Sequence, residues 1–454
     1  MSEKFKGKCF VSVTLRVARY KLEFRDTEIL IQIYMPVVLI SAFACQPFTG
    51  SEPGVGWDTV VNASKFADVI LITHPVHRKY IEPELPANVE AHYYDGPFPK
   101  ALRGNKPGFE AHYFLWQLNL HKYIAQHVHR PFDVVHHVTY GRFWTPSSLY
   151  KTNVPFIFGV VGGGETTPSS MFPFFRKKGY MAEAIRNTVV HACSSLPVAR
   201  KTVSAASIAY VTTQQTAEKL KSMGARDVRV AHQVEITPQK LAYFKGIAQS
   251  VNPDPQQLVF ISVARPLPWK GIQIGLQAFA EAHLEGSEYW IVATKKERGW
   301  LEELAKELRI AHKVKFFGDL PSIEEVHRLI ARADVFVHMA THEAYGNVVM
   351  EAMSLGKPVI CFNNGGPALQ VNDQSGWIVD FTDAPGVTQH IVRIMQEVQA
   401  DRSIAARKGG TAMQQVTDRC RNTPSGEEFL RSAYTEALLK TRQNDVSNVV
   451  STID

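Results

Sequence analysis

The chain has 454 residues and a formal charge of +7, with Lys and Arg spread along its length. That length exceeds what one hydrophobic core serves and suits two domains of about 200 residues each. No basic helix with interleaved aromatics and no zinc-finger spacing occurs, so nucleic acid is not an expected partner; the excess charge suits an anionic ligand or an acidic membrane surface.

Residues 1–34 lack the continuous apolar stretch of a secretion signal, and "CFVSVTLRV" alternates as a strand does. Met35 opens directly onto the apolar run "PVVLISAFA", so residues 1–34 are either an extra arm or an upstream extension. From there short β-branched runs alternate with amphipathic segments. "PVVLISAFA", "ADVILITH", "FDVVHHVT", "PFIFGVV" and "ASIAYVTT" read as strands covered on both faces. Helical stretches such as Trp57–Phe66 and Phe109–Val128 lie between them, the pattern of a parallel sheet with crossover helices.

At "SVNPDPQQ" (Ser250–Gln257) the apolar pattern stops, which places the linker there and a first domain over 35–250. The alternation then restarts with strands at "LVFISVAR", "YWIVAT", "VKFFGD", "ADVFVHMA" and "PVICF". Helices are expected at Gly271–Leu284, Trp300–His312 and Ser322–Arg332, the last opening with a capping box of Ser322 and Glu325. The fold class is therefore α/β, with two Rossmann-like doubly wound domains facing each other across a cleft at the carboxyl ends of both sheets. The second domain runs over 251–424. No run of 18 apolar residues is present. The cysteines Cys9, Cys45, Cys193, Cys361 and Cys420 form no CxxC pair, as suits free thiols in a reducing compartment, and a cytoplasmic location is expected.

Two stretches of the second domain carry chemistry. In "HEAYGNVVMEAMSLGKPVI" (His342–Ile360) a helix begins near Asn347 and is closed by Gly356 and Pro358. Its first turn, with Tyr345, Gly346 and Asn347, offers free N–H groups and the positive end of the dipole to an anion. Glu343 precedes the turn and Glu351 follows one turn in, placed to bond sugar hydroxyls beside that anion. Solvated helix-start residues would have the same spacing. In "FISVARPLPWKGIQIGLQAFAEA" (Phe260–Ala282), Arg265 ends a strand and Lys270 with Gly271 opens the next helix, two cations suited to a diphosphate.

Together these stretches resemble the family 4 glycosyltransferases, retaining enzymes of the GT-B fold. Glu343 and Glu351 match that family's Glu-x7-Glu motif, and Arg265 with Lys270–Gly271 its "GR…KG" element. The resemblance covers the chain from about Met35 to the mid-420s. It implies that Glu343 holds donor-sugar hydroxyls, Glu351 the ribose, and Arg265 and Lys270 the diphosphate, with Tyr345, Gly346 and Asn347 contacting sugar and phosphate through the backbone. It also implies that residues 425–454 start with a helix, "SGEEFLRSAYTEALLK", that crosses back to the first domain.

In the first domain, "CQPFTGSEPGVGW" (Cys45–Trp57) is a glycine-rich turn but not GxGxxG, and the resemblance puts Gly50, Ser51 and Gly54 near the diphosphate and acceptor. The resemblance also expects a histidine of "FDVVHHVTYG" at the donor sugar. Strand side chains alternate, so only one of His136 and His137 faces the cleft; His136, with Thr139, is preferred. Glu165 of "GVVGGGETTP" is assigned to the acceptor. One departure stands out: Leu369 occupies the position where the family's loop carries a glutamate. "FPFFRKKGYMAEAIRN" (Phe172–Asn187) suits a lid over the acceptor cleft or a peripheral contact with the inner face of a membrane.

The implied reaction moves a sugar from a nucleotide-diphosphate sugar to a hydroxyl of a glycan or lipid-linked acceptor, with retention, no cofactor and no metal. The polysaccharide or glycolipid assembly implied is a matter of family breadth. Rivals on the same fold are a sugar-nucleotide epimerase, a phosphorylase, or a silent nucleotide-sugar-binding protein.

Overall fold

The computed structural model describes residues 14–17, 20–25, 28–33, 35–49, 51–231 and 236–450, the side chains of 14–33, Ser51 and 441–450 excepted. Strands β1 (Thr14–Val17), β2 (Tyr20–Arg25) and β3 (Glu28–Ile33) form a separate antiparallel sheet.

The first domain contributes β4 (Val37–Ser41), β5 (Asp68–Thr73), β6 (Val89–Tyr93), β7 (Val134–His137), β8 (Phe156–Val161), β9 (Ile208–Val211) and β10 (Val228–Val230). They form a seven-stranded sheet in the order β10-β9-β8-β7-β4-β5-β6, every pair parallel. The second contributes β11 (Leu258–Val263), β12 (Ser287–Val292), β13 (Val314–Phe317), β14 (Val335–His338), β15 (Val359–Phe362) and β16 (Gly376–Val379). Their order is β13-β12-β11-β14-β15-β16, again all parallel. Parallel strands need crossover helices on both faces, which is why their inner members are continuous apolar runs.

Ten of these strands coincide with the runs expected from the sequence. The exceptions are β6, β10 and β16, all at sheet edges and partly exposed, so that "VEAHY", "VRV" and "GWIV" carry no unbroken apolar run. The domain boundary also moves. Helix Pro238–Ser250 buries Leu241, Phe244 and Ile247 in one cluster with Val259, Ile261 and Phe336 of the second sheet. The second domain therefore begins before Pro238, not after Ser250; the prolines at 253 and 255 mark only the turn from that helix into β11.

Each sheet has a switch point where strand order reverses, between β4 and β7 and between β11 and β14. Loops on either side of such a point diverge to opposite faces and leave a crevice at the carboxyl ends. The chain finally returns to the first domain in the helix Gly426–Val450, whose Leu430, Ala433, Tyr434 and Ala437 join the core of β4, β5 and β7. Tyr434 donates to His136 Nδ1 at 2.9 Å, while His136 Nε2 donates to the Gly159 carbonyl at 2.5 Å. Tyr434→Phe leaves a buried acceptor unpaired and should cost about 1–3 kcal/mol. Its thermal midpoint is expected to fall while turnover stays within about twofold of wild type, checked by melting curves and rates on one preparation.

Candidate active site

Strands β11 and β14 are hydrogen-bonded neighbours, with Phe260 opposite Val335 and Ile261 opposite Phe336. The loops that follow them, 264–271 and 339–346, therefore emerge side by side although distant in sequence. Thr341 N donates to the Trp269 carbonyl at 2.8 Å, binding one loop to the other. Gly271 makes this approach possible. Its φ is +69°, and a Cβ there would sit 1.7 Å from the Met339 carbonyl oxygen.

The juxtaposition brings Lys270 Nζ onto the Glu343 carboxylate in a hydrogen-bonded ion pair. His338 Nε2, at the end of β14, lies 3.7 Å from the same carboxylate. Burial alone would raise the Glu343 pKa, but His338 and the Lys270 ammonium overcome it and hold the group down at about 2. Immediately beyond, Gly346 at φ +78° turns the chain into helix Asn347–Ser354. Val349 N already donates to the Gly346 carbonyl at 2.9 Å, which leaves the N–H groups of Asn347 and Val348 ahead of the helical ladder, so the ammonium and the dipole's positive end share one corner.

The loop after β15 braces this corner. Gly366 N donates to the Glu343 carbonyl at 2.9 Å, Asn364 Nδ2 to the Thr341 carbonyl at 2.8 Å, and Gln370 Nε2 to the Tyr345 carbonyl. "NNGGPALQ" thus does structural work, and Leu369, where the family has a glutamate, is half exposed on helix Gly365–Gln370.

The remaining second-domain residues are arranged less uniformly. Glu351 sits one turn into the helix with its carboxylate 3.6 Å from His327 Nε2, and Tyr243 Oη bonds His327 Nδ1 at 3.0 Å. Arg265 is two-thirds exposed and pairs with Glu297 at 3.2 Å, so only one of the two expected cations contacts the carboxylate. Tyr345 is buried with Arg419 Nη2 3.5 Å from its hydroxyl, and Asn347 is exposed at the helix start.

Three first-domain assignments, His136, Thr139 and Glu165, are corrected by their contacts. His136 does not face the cleft: it is clamped between Tyr434 and Gly159, with burial holding its pKa down at about 4. His137 points to the other face, 3.4 Å from Tyr113 Oη and against Phe158, so neither histidine serves the donor sugar. Thr139 Oγ1 accepts from Ala44 N at 3.1 Å, tying the loop after β7 to the one after β4. Glu165 is 1% exposed and spends its carboxylate on Gly163 N at 3.1 Å, Thr216 Oγ1 at 2.8 Å and Thr213 Oγ1. It locks its own domain's loop and does not reach an acceptor. Gly54 packs against the Thr49 carbonyl, whereas Gly50 and the Ser51 side chain lie outside the described residues.

Sequence reasoning missed the bridge between domains. Thr167 Oγ1 lies 2.9 Å from Thr341 Oγ1 and donates to Glu183 at 2.6 Å; Glu183 lies 3.1 Å from His342 Nε2. Gln215 Nε2 donates to Asn364 Oδ1 at 2.8 Å. Met171 and Phe174 bury themselves in the second domain's core beside Ile272 and Met339, so the segment after β8 is a fixed bridge, not a mobile lid. Glu183, the one acid between 176 and 201, was the available signal.

Two other places hold polar clusters. A cavity of about 640 Å³ beside the interdomain crossover is lined by Trp57, His136, Lys240, Arg419 and Phe429, away from Glu343 and Lys270. His74, Asp95 and His112 are grouped as metal ligands would be, but Asp95 already takes Arg103 Nη1 at 2.6 Å and His74 Nε2 at 3.1 Å. That set is an internal hydrogen-bond network, and no metal is assigned to it.

Residues 245–408 match the family model described as glycosyl transferases group 1. The lipopolysaccharide core biosynthesis glycosyltransferase LpsE of Rhizobium meliloti (strain 1021) is 29% identical over 226 residues, covering 49% of this chain and 60% of LpsE. The chain spans less than two thirds of the curated relatives it matches first. Among solved structures, sucrose-phosphate synthase of Thermosynechococcus elongatus superposes with a TM-score of 0.60 at 18% identity, over 92% of this chain and 100% of that one. HepE of Anabaena, solved in complex with UDP, gives 0.52 at 15% identity over 90% and 100%. These likenesses establish the two-domain fold.

The ion pair makes a pH prediction. A carboxylate whose folded pKa is depressed from 4.5 to about 2 contributes stability above its unfolded value and loses it as pH falls through the folded one. The wild type should therefore lose stability between about pH 4.5 and 2 more steeply than Glu343→Gln, as read from thermal midpoints across that window.

Proposed function

We propose that this chain, whose residues 245–408 match the group 1 glycosyl transferases and whose two domains form the GT-B fold, moves a sugar from a nucleotide-diphosphate sugar to a hydroxyl acceptor. The observation that carries the reading is the meeting of Lys270, Glu343 and the start of helix Asn347–Ser354 at the switch point of the second sheet. A diphosphate is the ligand this corner suits: an ammonium and unpaired backbone donors converge, and a neighbouring carboxylate is available for sugar hydroxyls. Glu351 is proposed to hold the ribose, and Arg265, on an exposed arm, to swing onto the phosphates from its weak surface pairing with Glu297.

In the proposed step the bond between the anomeric carbon and the β-phosphate oxygen breaks while the acceptor oxygen forms its bond on the same face. The acceptor proton passes to the departing diphosphate, so configuration is retained without a covalent intermediate. Lys270 and the helix N–H groups stabilise the charge growing on the leaving group, the role a metal plays elsewhere. Glu343, kept ionised despite its burial by His338 and the Lys270 ammonium, orients the sugar. The acceptor is proposed to be a glycan or lipid-linked hydroxyl, reached in the cytoplasm at the inner face of the membrane. LpsE, named for lipopolysaccharide core biosynthesis, supports that class.

Two measurements test this. Screening nucleotide sugars by thermal shift should reveal a donor that raises the midpoint, since a ligand at 100 times its Kd contributes about 2.7 kcal/mol. With that donor, Lys270→Ala should lower kcat by about 10²–10³, together with a lower melting midpoint because Glu343 loses its buried partner; a wild-type rate in the folded variant removes Lys270 from the mechanism. Isomerised donor without transfer to any acceptor would contradict transfer itself.

A further inference from the structure

Helix Lys177–Cys193 has two faces with different fates. The inner face is committed: Glu183 reaches His342, Val190 is buried in the first domain's core, and Gly179 packs against Pro268. The outer face is not. Met181, Ile185 and Val189, one helical turn apart, are 53%, 60% and 46% exposed, with Tyr180 alongside and Leu196 just beyond the helix. Five of the fifteen exposed large apolar side chains among the described residues thus lie within residues 180–196, which is clustering and not the usual scatter.

Charge accompanies the stripe. From Arg176 to Lys201 the chain carries six Lys and Arg residues against one acid, Glu183, and that acid is buried. Lys177 and Lys178 are exposed at the start of the helix, and Arg200 and Lys201 are exposed beyond its end. Arg176 is paired with Glu307 of the second domain at 2.7 Å and Arg186 is half-buried, which leaves Lys177, Lys178, Arg200 and Lys201 as the exposed cations of the segment. An apolar strip flanked by them, with no exposed acid in its own segment, is complementary to an anionic lipid surface, where apolar side chains enter the acyl boundary and cationic groups meet phosphates. No helix among the described residues is long and apolar enough to cross a membrane, so the contact would lie along the surface.

We propose that the outer face of helix Lys177–Cys193, with Leu196, docks on an anionic bilayer, while its inner face stays bonded to the loop that carries Glu343. The helix then sets the first domain against the membrane with the donor corner directly behind it. This extends the lipid-linked reading of the acceptor given above. Its test contains neither donor nor acceptor, so either can fail alone.

The test is co-sedimentation of the full chain with vesicles of phosphatidylcholine alone or mixed with phosphatidylglycerol. Wild type should bind the mixed vesicles and release in high salt. Ile185→Glu with Val189→Glu should lose binding by at least about tenfold at an unchanged melting midpoint. Lys177→Glu with Lys178→Glu should lose roughly fivefold per cation removed. Wild type that ignores mixed vesicles, or acidic variants that bind as well as wild type, would overturn the proposal. So would a wild-type dimer in analytical ultracentrifugation that the 185/189 pair splits, because the stripe would then be a self-association face.

Discussion

The contact between Lys270 and Glu343 is the point on which the site depends. Two loops far apart in sequence meet only because β11 and β14 are neighbours and because Gly271 lets one backbone lie on the other. Burying both charges costs desolvation free energy, and their attraction repays it only with good geometry. A pair of this kind is therefore poor evidence for stability and better evidence for a place where charge is needed. Any anion that takes Lys270 must compete with Glu343.

The corner is also where the two domains are joined. Thr341 and His342, immediately before Glu343, contact Thr167 and Glu183 of the first domain, and Trp269, immediately before Lys270, stacks on His342 at 5.7 Å. Met171 and Phe174 pack into the second domain's core from the same segment. Relative movement of the domains therefore pulls on the residues that flank the charged pair, so closure and the alignment of the pair are coupled through named contacts. Burial pulls the His342 pKa below its ordinary value, while the contact with His342 holds Glu183 below the ordinary carboxylate range despite its own burial.

What was legible in the sequence follows from where each signal arises. Buried parallel strands write continuous apolar runs, so the interior of both sheets could be read, while β6, β10 and β16 at the edges could not. The composition break at 250–257 was real but marked a turn, because proline reports local backbone geometry and not which core a helix joins. That Glu343, Lys270 and Gly346 lie at strand-end loops beside a helix start is legible because such loops have a local signature. His136 and Glu165 failed for the opposite reason. Both follow strands in the right places, but their partners Tyr434, Thr213 and Thr216 come from distant segments that no local pattern announces. The bridge through Glu183 has its partners equally far off in sequence, and its one local sign is a lone acid in a basic segment.

The most direct test of the central claim is a crystal structure of the chain with a nucleoside diphosphate bound. The account predicts the distal phosphate about 3 Å from Lys270 Nζ and from the first backbone N–H groups of helix Asn347–Ser354. Phosphates seated in the cavity beside the interdomain crossover, near Lys240 and Arg419, with the Lys270–Glu343 pair untouched, would contradict it.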